Sequence, residues 1–305
     1  MKTRTSLFCL IAIAIAVVAA AQPTLPHPDH IVIVVEENKG FTDVIGSAKA
    51  PFINSLAKAG ASLTNYHGLH HPSQPNYLEL FSGSNQGVCN DTCPPSPALF
   101  NAPNLAGSLM AASRTFAGFA DGLPAHNLAL CTSGDYARKH CPWLDFSGIP
   151  ASVSFDTTAF PQTAAGFATL PDVSIVIPDL INDMHSDANG GHSIPAEVSQ
   201  GDTWLKAHIG AYAKWAMKNN SLLIVTWDED SAKYTYPTHC SKAIDTPSQQ
   251  FANRIATIIV GGPVRKGSNN TQYTHYNLLR TIEDIYGLTP IGGSAGVPAI
   301  TGIWK

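Results

Sequence analysis

Carboxylates, amides and imidazoles stand directly after apolar runs of this chain. Glu36-Glu37-Asn38 follows Ile31–Val35, and Pro178-Asp179 with Asn182-Asp183-Met184-His185 follows Val173–Ile177. Trp227-Asp228-Glu229-Asp230 follows Leu222–Thr226, and Thr274-His275 precedes a helical pattern. One polar strand end is ordinary. Four brought together would be costly, because packed carboxylates repel one another and lose hydration. A divalent cation relieves both costs, and Asp, Glu and His donors suit zinc, manganese or iron. Ser73 lies in His70-His71-Pro72-Ser73-Gln74-Pro75-Asn76, ahead of the apolar stretch Tyr77–Phe81. A serine at a helix start can cap it. It can also act as a nucleophile where free N–H groups attract an anion such as phosphate.

These residues need a scaffold that gathers strand ends. Ile31–Val35, Val173–Ile177, Leu222–Thr226 and Ile255–Val260 are short, β-branched and unbroken, the pattern of strands buried on both faces. Helices are expected over Pro51–Lys58, over Trp204–Trp215 with Asp202 as N-cap, and over Tyr276–Tyr286 before Gly287. Alternating strands and helices predict an α/β fold, a three-layer α/β/α sandwich with a largely parallel central sheet. Ligands of such sheets sit beyond the carboxyl ends of the strands, where the acidic tripeptides fall. Residues 85–170 are rich in Pro, Gly and Ser, and read as a loop-and-helix insertion covering one end of the sheet.

Composition bounds the partners. Of 305 residues 44% are hydrophobic, enough for a large core, and only 13% are charged, against about 25% in an average domain. A formal charge of −4 offers no nucleic-acid-binding surface. Lys2 and Arg4, the apolar run Leu7–Val18 and Ala19-Ala20-Ala21 read as a signal peptide over 1–21, with 22–305 as a single domain exported to the outside or the periplasm. No later stretch is apolar enough to span a bilayer. Cys89, Cys93, Cys131, Cys141 and Cys240 remain, an odd number. Local pairs Cys89–Cys93 and Cys131–Cys141 are expected, although spacing does not fix connectivity. Asn90, Asn219 and Asn269 begin glycosylation tripeptides that matter only in a eukaryotic source.

Taken in order, Val35-Glu36-Glu37-Asn38, Tyr136-Ala-Arg138-Lys139-His140-x-Pro142, Asn182-Asp183-Met-His185, Gly201-Asp202-x-Trp204, Thr226-Trp227-Asp228-Glu229 and Tyr273-Thr-His275 resemble blocks of the phosphoesterase family. That family includes secreted acid phosphatases and bacterial phospholipases C, and is similar to the alkaline-phosphatase-like superfamily. The resemblance implies one or two divalent ions, whether zinc, manganese, iron, calcium or magnesium. Glu37, Asn38, Ser73, Asp228 and Glu229 would hold one of them. Asp183, His185 and His275 would form a second cluster, with Asp179 competing for the place of Asp183. It also implies Ser73 as nucleophile, passing through a phosphoserine, and Asn76 as a donor to a phosphoryl oxygen. His140 or His275 would protonate the leaving group, and Arg138, Lys139 and His185 would contact phosphate.

The expected activity is therefore hydrolysis of a small phosphate monoester. Its rivals are a phospholipase C-type diesterase, a sulfatase and a non-catalytic binding protein. Ser73-Gln74-Pro75-Asn76 departs from the sulfatase pattern of Cys or Ser followed by Pro-Ser-Arg.

Overall fold

The structure is a computed structural model and describes residues 25–231 and 253–305. The expected leader, Cys9, His239 and Cys240 lie outside the described residues. In chain order the strands are β1 (His30–Glu36), β2 (Ala61–His67), β3 (Phe116–Ala120), β4 (Thr132–Ser133), β5 (Tyr136–Ala137), β6 (Ser154–Asp156), β7 (Val173–Ile177), β8 (Ser221–Trp227), β9 (Arg254–Val260), β10 (Gly267–Asn269) and β11 (Tyr273–Thr274). The helices are α1 (Phe41–Val44), α2 (Pro51–Ala59), α3 (Ser73–Ser82), α4 (Leu105–Ala111), α5 (Ala164–Phe167), α6 (Ile194–His208), α7 (Gly210–Ala216) and α8 (His275–Tyr286).

One sheet runs β10-β2-β9-β8-β1-β7-β3-β6, with β11 beside β2. β1 is parallel to both β7 and β8, and β3 is parallel to β7 and β6. Only β9 runs against its neighbours β8 and β2. β1, β7 and β8 are buried almost throughout, as their unbroken β-branched runs require. Helices α3, α4 and α8 pack against one another, and a second group packs through α2 with α6, α6 with α7 and α5 with α7. The expected three layers are present.

Several expectations are corrected in detail. Residues 85–170 are more than loop and helix, because β3 and β6 within them extend the sheet at one edge. The helix expected over Trp204–Trp215 is two helices that meet at Ile209, and the first begins at Ile194. Asp202 is therefore no N-cap of its own helix. It lies inside α6, and its carboxylate accepts the N–H groups of Phe52 (3.1 Å) and Ile53 (2.8 Å) at the start of α2. The N-cap residue of α2 is Ala50, which has no side-chain acceptor. Asp202 supplies that acceptor from another helix.

The neighbouring glycine has an equally specific task. A Cβ on Gly201 would meet the Met184 side chain at 2.5 Å and the Asn182 carbonyl at 3.0 Å. Glycine here lets α6 press against the loop that carries Asp183 and His185. Trp204 then donates to Asp121 beyond β3, at 3.0 Å. The Gly201-Asp202-x-Trp204 block thus joins α6 to three separate elements.

The cysteine expectation fails in both pairs. Cys93 is bonded to Cys131, 38 residues away. Cys141 is a buried free thiol, and Cys89 is disulfide-bonded but not to Cys93. The Arg138 guanidinium shows why distant segments meet: it donates to the carbonyls of Pro94 and Ala129 together. Among the described residues no helix is long and apolar enough to cross a membrane.

Replacing Asp202 with Ala should leave two helix-end donors of α2 without their acceptor. The expected cost is about 1–2 kcal/mol, read by thermal denaturation as a fall in Tm of roughly 3–6 °C. An unchanged Tm would show that water replaces the carboxylate.

Candidate active site

The ends of β1, β7 and β8 lie side by side, so the residues that follow them converge. Glu37, Asp183, Asp228 and Glu229 are all within 3% of complete burial. Their backbones are joined as well. The Glu37 N–H donates to the Asp183 carbonyl (2.7 Å), and the Asp228 N–H donates to the Glu36 carbonyl (3.0 Å). The Asn38 N–H reaches Asp228 Oδ1 at 3.0 Å, with Asn38 in the left-handed region at φ 53°.

Ser73 enters from the opposite wall. It is the first residue of α3, a ten-residue helix whose every residue is buried, and the cap position belongs to Pro72. Its hydroxyl is not spent on capping. Ser73 Oγ lies 3.1 Å from Glu37 Oε2 and 3.2 Å from Glu229 Oε1, placing a hydroxyl between two carboxylates at a helix N-terminus. Gly68 lets the chain after β2 pass close to Asp228, because a Cβ there would meet the Asp228 carbonyl at 2.6 Å and the Asn253 side chain at 2.8 Å.

Two imidazoles offset the negative charge. His140 Nε2 is 2.8 Å from Glu37 Oε1, and its Nδ1 is 3.5 Å from Asp183 Oδ2. His71 bridges Glu229 Oε2 (2.8 Å) and Asp230 Oδ1 (3.2 Å). Burial alone would lower both imidazole pKa values, but the facing carboxylates raise each to about 9. Glu37 feels the opposite balance. Burial pulls its carboxyl up, and His140 holds it below the usual carboxylate range. Asp183 and Glu229 are raised to about 7, chiefly by burial and partly by the charge of Glu37. Asp228 is raised well above its ordinary value by burial and then by Glu37 and Glu229. Its Oδ2 is buried without a hydrogen-bond partner.

The other expected residues divide. Lys139 stays at the edge of the site, with Nζ 2.5 Å from Asp91 Oδ2, while Asp91 Oδ1 accepts the Gln74 N–H of α3 at 3.0 Å. His185 is half-buried, and its N–H donates to Asp183 Oδ1 at 2.8 Å. Asp179 spends its carboxylate on the turn, accepting from the N–H groups of Ile181 and Asn182, so Asp183 is the one that faces the cluster.

Three expected residues spend their polar atoms on neighbouring backbone and side chains. His275 is fully engaged away from the carboxylates: Nε2 contacts the Asp228 carbonyl at 2.8 Å and Nδ1 the Tyr66 hydroxyl at 3.3 Å. Burial lowers its pKa to about 4, so it positions a backbone and is a poor proton donor. Asn76 accepts from the N–H groups of Leu69 and His70 and donates to the His70 carbonyl. Its amide thus holds the loop before Ser73. Arg138 is 0% exposed, and its guanidinium is engaged by Pro94, Ala129 and Asp145.

Sequence reasoning passed over His71, Tyr77 and Lys39. Tyr77 donates to Glu37 Oε1 at 3.1 Å and stacks on His140 at 4.7 Å between ring centroids. Its position four residues after Ser73 places both on one helix face, a spacing that could have found it. Only proximity to Ser73, shared with His67 and His70, marks His71, and nothing local marks Lys39, whose partners come from distant segments.

Known proteins resemble the chain in sequence and in fold. The model of the Phosphoesterase family matches residues 46–289. The phosphatidylinositol-3-phosphatase of Mycobacterium tuberculosis is 44% identical over 291 residues, covering 95% of this chain and 88% of that protein. The phosphate-repressible acid phosphatase of Penicillium chrysogenum is 26% identical, over 82% of this chain but 58% of its own length. Among solved structures, a protein in the alkaline phosphatase superfamily from Vibrio parahaemolyticus superposes with a TM-score of 0.59 at 12% identity, over 91% of this chain and 72% of that one. The C-terminal periplasmic domain of EcEptC from Escherichia coli, in a complex with Zn, gives 0.52 at 13% identity, over 88% and 87%. At such identities the likeness is one of fold, which is alkaline-phosphatase-like.

The charge balance sets a pH dependence for the metal-free protein. Asp183, Glu229, His71 and His140 all hold protons more tightly folded than unfolded. The native state therefore binds more protons, and stability falls as pH rises. The carboxyl pair acts from about pH 4 to 7, and the imidazoles from 6.5 to 9. Thermal melts of metal-free protein should lose roughly 5 °C or more between pH 6.5 and 9, above the range in which the lowered pKa of His275 acts in the opposite sense. A flat profile would mean that these groups are not desolvated together.

Proposed function

The chain belongs to the phosphoesterase family and hydrolyses phosphoric ester bonds, and on that premise we propose that it is a phosphomonoesterase with Ser73 as its nucleophile. One observation carries the reading: an uncapped serine hydroxyl at a buried helix N-terminus, within 3.2 Å of both Glu37 and Glu229. A carboxylate on either side can accept the hydroxyl proton as the oxygen attacks phosphorus. The Ser73 oxygen–phosphorus bond forms as the ester oxygen departs, and water then cleaves the phosphoserine. The N-terminus of α3 faces the equatorial oxygens, and Lys139 adds a cation at the rim. His140 is the remaining candidate to protonate the leaving alcohol, since the facing Glu37 carboxylate favours its charged form.

The fold family implies a divalent cation. Among the described residues no three His, Cys, Asp or Glu side chains already converge on one point. The donor set nevertheless fits one. Four carboxylates are buried together, and Asp228 Oδ2 is buried without a hydrogen-bond partner. Glu37, Asn38, Ser73, Asp228 and Glu229 would hold the ion, with Asp183 and His185 able to serve a second. A bound cation supplies Lewis-acid charge that favours the serine alkoxide and the phosphoryl oxygens. His275 leaves this set, because both its ring nitrogens are occupied.

The proposed substrate is a phosphate monoester, with an inositol-lipid monoester foremost, because the mycobacterial relative is named as a phosphatidylinositol-3-phosphatase. Export through residues 1–21 is proposed with it. The Cys93–Cys131 bond supports an oxidising compartment.

Ser73→Ala should lower turnover of an aryl phosphate at least about a thousandfold with an unchanged circular-dichroism spectrum. Full activity would remove Ser73 from the mechanism. Exhaustive dialysis against EDTA should abolish turnover, and a divalent ion should restore it and raise Tm at pH 8. Activity that survives in protein free of metal by mass spectrometry would refute the cation. Assayed side by side, phosphatidylinositol 3-phosphate should release inorganic phosphate and phosphatidylcholine should be untouched. The opposite preference would establish a phospholipase C-type diesterase.

A further inference from the structure

Behind the carboxylates, on the α6 side of the sheet, lies a buried cation that the reaction scheme does not use. Lys39 is 2% exposed. Its ammonium carries three donors, and the structure gives it three acceptors. It donates to the Met184 carbonyl at 2.6 Å and the Asn38 carbonyl at 3.1 Å, and it pairs with Glu197 Oε2 of α6 at 2.9 Å. Glu197 is also 2% exposed.

The two carbonyls are not arbitrary. Asn38 and Met184 are both non-glycine residues in the left-handed region, at φ 53° and φ 78°. Such residues cost energy and persist where surrounding contacts hold them. Asn38 belongs to the turn after β1 that presents Glu37. Met184 belongs to the turn after β7 that presents Asp183 and His185. The same ammonium thus grips the backbone of both turns at their strained residues, and Glu197 ties it to α6. The glycine at position 201 lets α6 come close enough for this arrangement.

We propose that Lys39 is a positioning residue that locks the Glu37–Asn38 turn to the Asp183–His185 turn, and so fixes the separation of the two halves of the active site. The proposal rests on the reading of those halves given above. A displacement of about 1 Å between reacting groups can cost a hundredfold in rate, so the lock is expected to act on kcat. Lys39 is buried and its three donors are spent on Met184, Asn38 and Glu197, so KM is expected to change little. Loss of the ammonium alone also leaves the buried Glu197 carboxylate facing just the exposed His192 imidazole, 3.5 Å away, a separate and purely structural penalty. The test has to remove both charges together.

The experiment compares wild type, Lys39→Met, Lys39→Arg and the double variant Lys39→Met/Glu197→Gln. Its readouts are Tm, kcat and KM on an aryl phosphate, and amide hydrogen exchange at residues 37–38 and 183–185. Lys39→Met should lower Tm, and the double variant should recover most of it. Turnover in the double variant should remain reduced about 10- to 100-fold with KM within about twofold. Lys39→Arg, which keeps donors for both carbonyls, should recover part of kcat. Exchange should rise at both turns together in the double variant. Full kcat in the double variant would overturn the positioning role and leave Lys39 a stability residue. Unchanged exchange at both turns would overturn the lock itself, whatever the activity. If wild type hydrolyses no phosphomonoester, the functional reading fails, while the exchange measurement still decides the lock.

Discussion

Four carboxylates share one desolvated space at the ends of three parallel strands, and the rest of the molecule is arranged around that cost. Bare carboxylates so close would either protonate or push apart. Asp183, Asp228 and Glu229 show the first response in their raised pKa values, and His71 and His140 show the compensation. Such a balance is poorly suited to a structural core and well suited to a site that takes up a cation or transfers protons. It also explains the placement of Ser73. A hydroxyl wedged between two of these carboxylates relieves some of their repulsion.

Holding repelling groups in place requires a stiff support, and α6 provides much of it. Its residues act outward in several directions. Asp202 caps α2, Trp204 reaches Asp121, Gly201 makes room for the Met184 turn, and Glu197 holds Lys39. On the opposite face α3 is buried along its whole length and carries both Ser73 and Tyr77. The stapled segment of Cys93 and Cys131, clamped by Arg138, brings Asp91 and Lys139 to the mouth of the site. The residues that most resemble family blocks therefore fall into two kinds: those that touch the cluster, and those that fix the elements around it.

Much of the frame was legible because a strand buried on both faces leaves a plain trace. β1, β7, β8 and β9 were each marked by unbroken β-branched runs, and the polar residues after them marked the functional edge. β2 escaped notice because Ala61–His67 mixes polar and apolar residues, although its backbone is bonded on both sides. β3 escaped because Phe116–Ala120 is short and lies in a Gly- and Pro-rich stretch. The cysteines misled for a related reason: short spacing suggested local pairs, whereas the Arg138 clamp brings segments 38 residues apart into bonding distance.

By itself the sequence determined the α/β class and the strand ends at which polar residues would gather, because periodicity and local composition encode those features directly. Resemblance to the phosphoesterase family, not local pattern, singled out Ser73, Glu37, Asp183, Asp228 and Glu229 among the residues there. Only the tertiary structure decided how each polar side chain spends its hydrogen-bonding capacity. It turned Asn76, Arg138 and His275 into supports, drew in His71 and Tyr77 as partners of the carboxylates, and placed Lys39 behind them. Hydrogen-bond partners in a buried site come from residues far apart in the chain, so no local pattern records them.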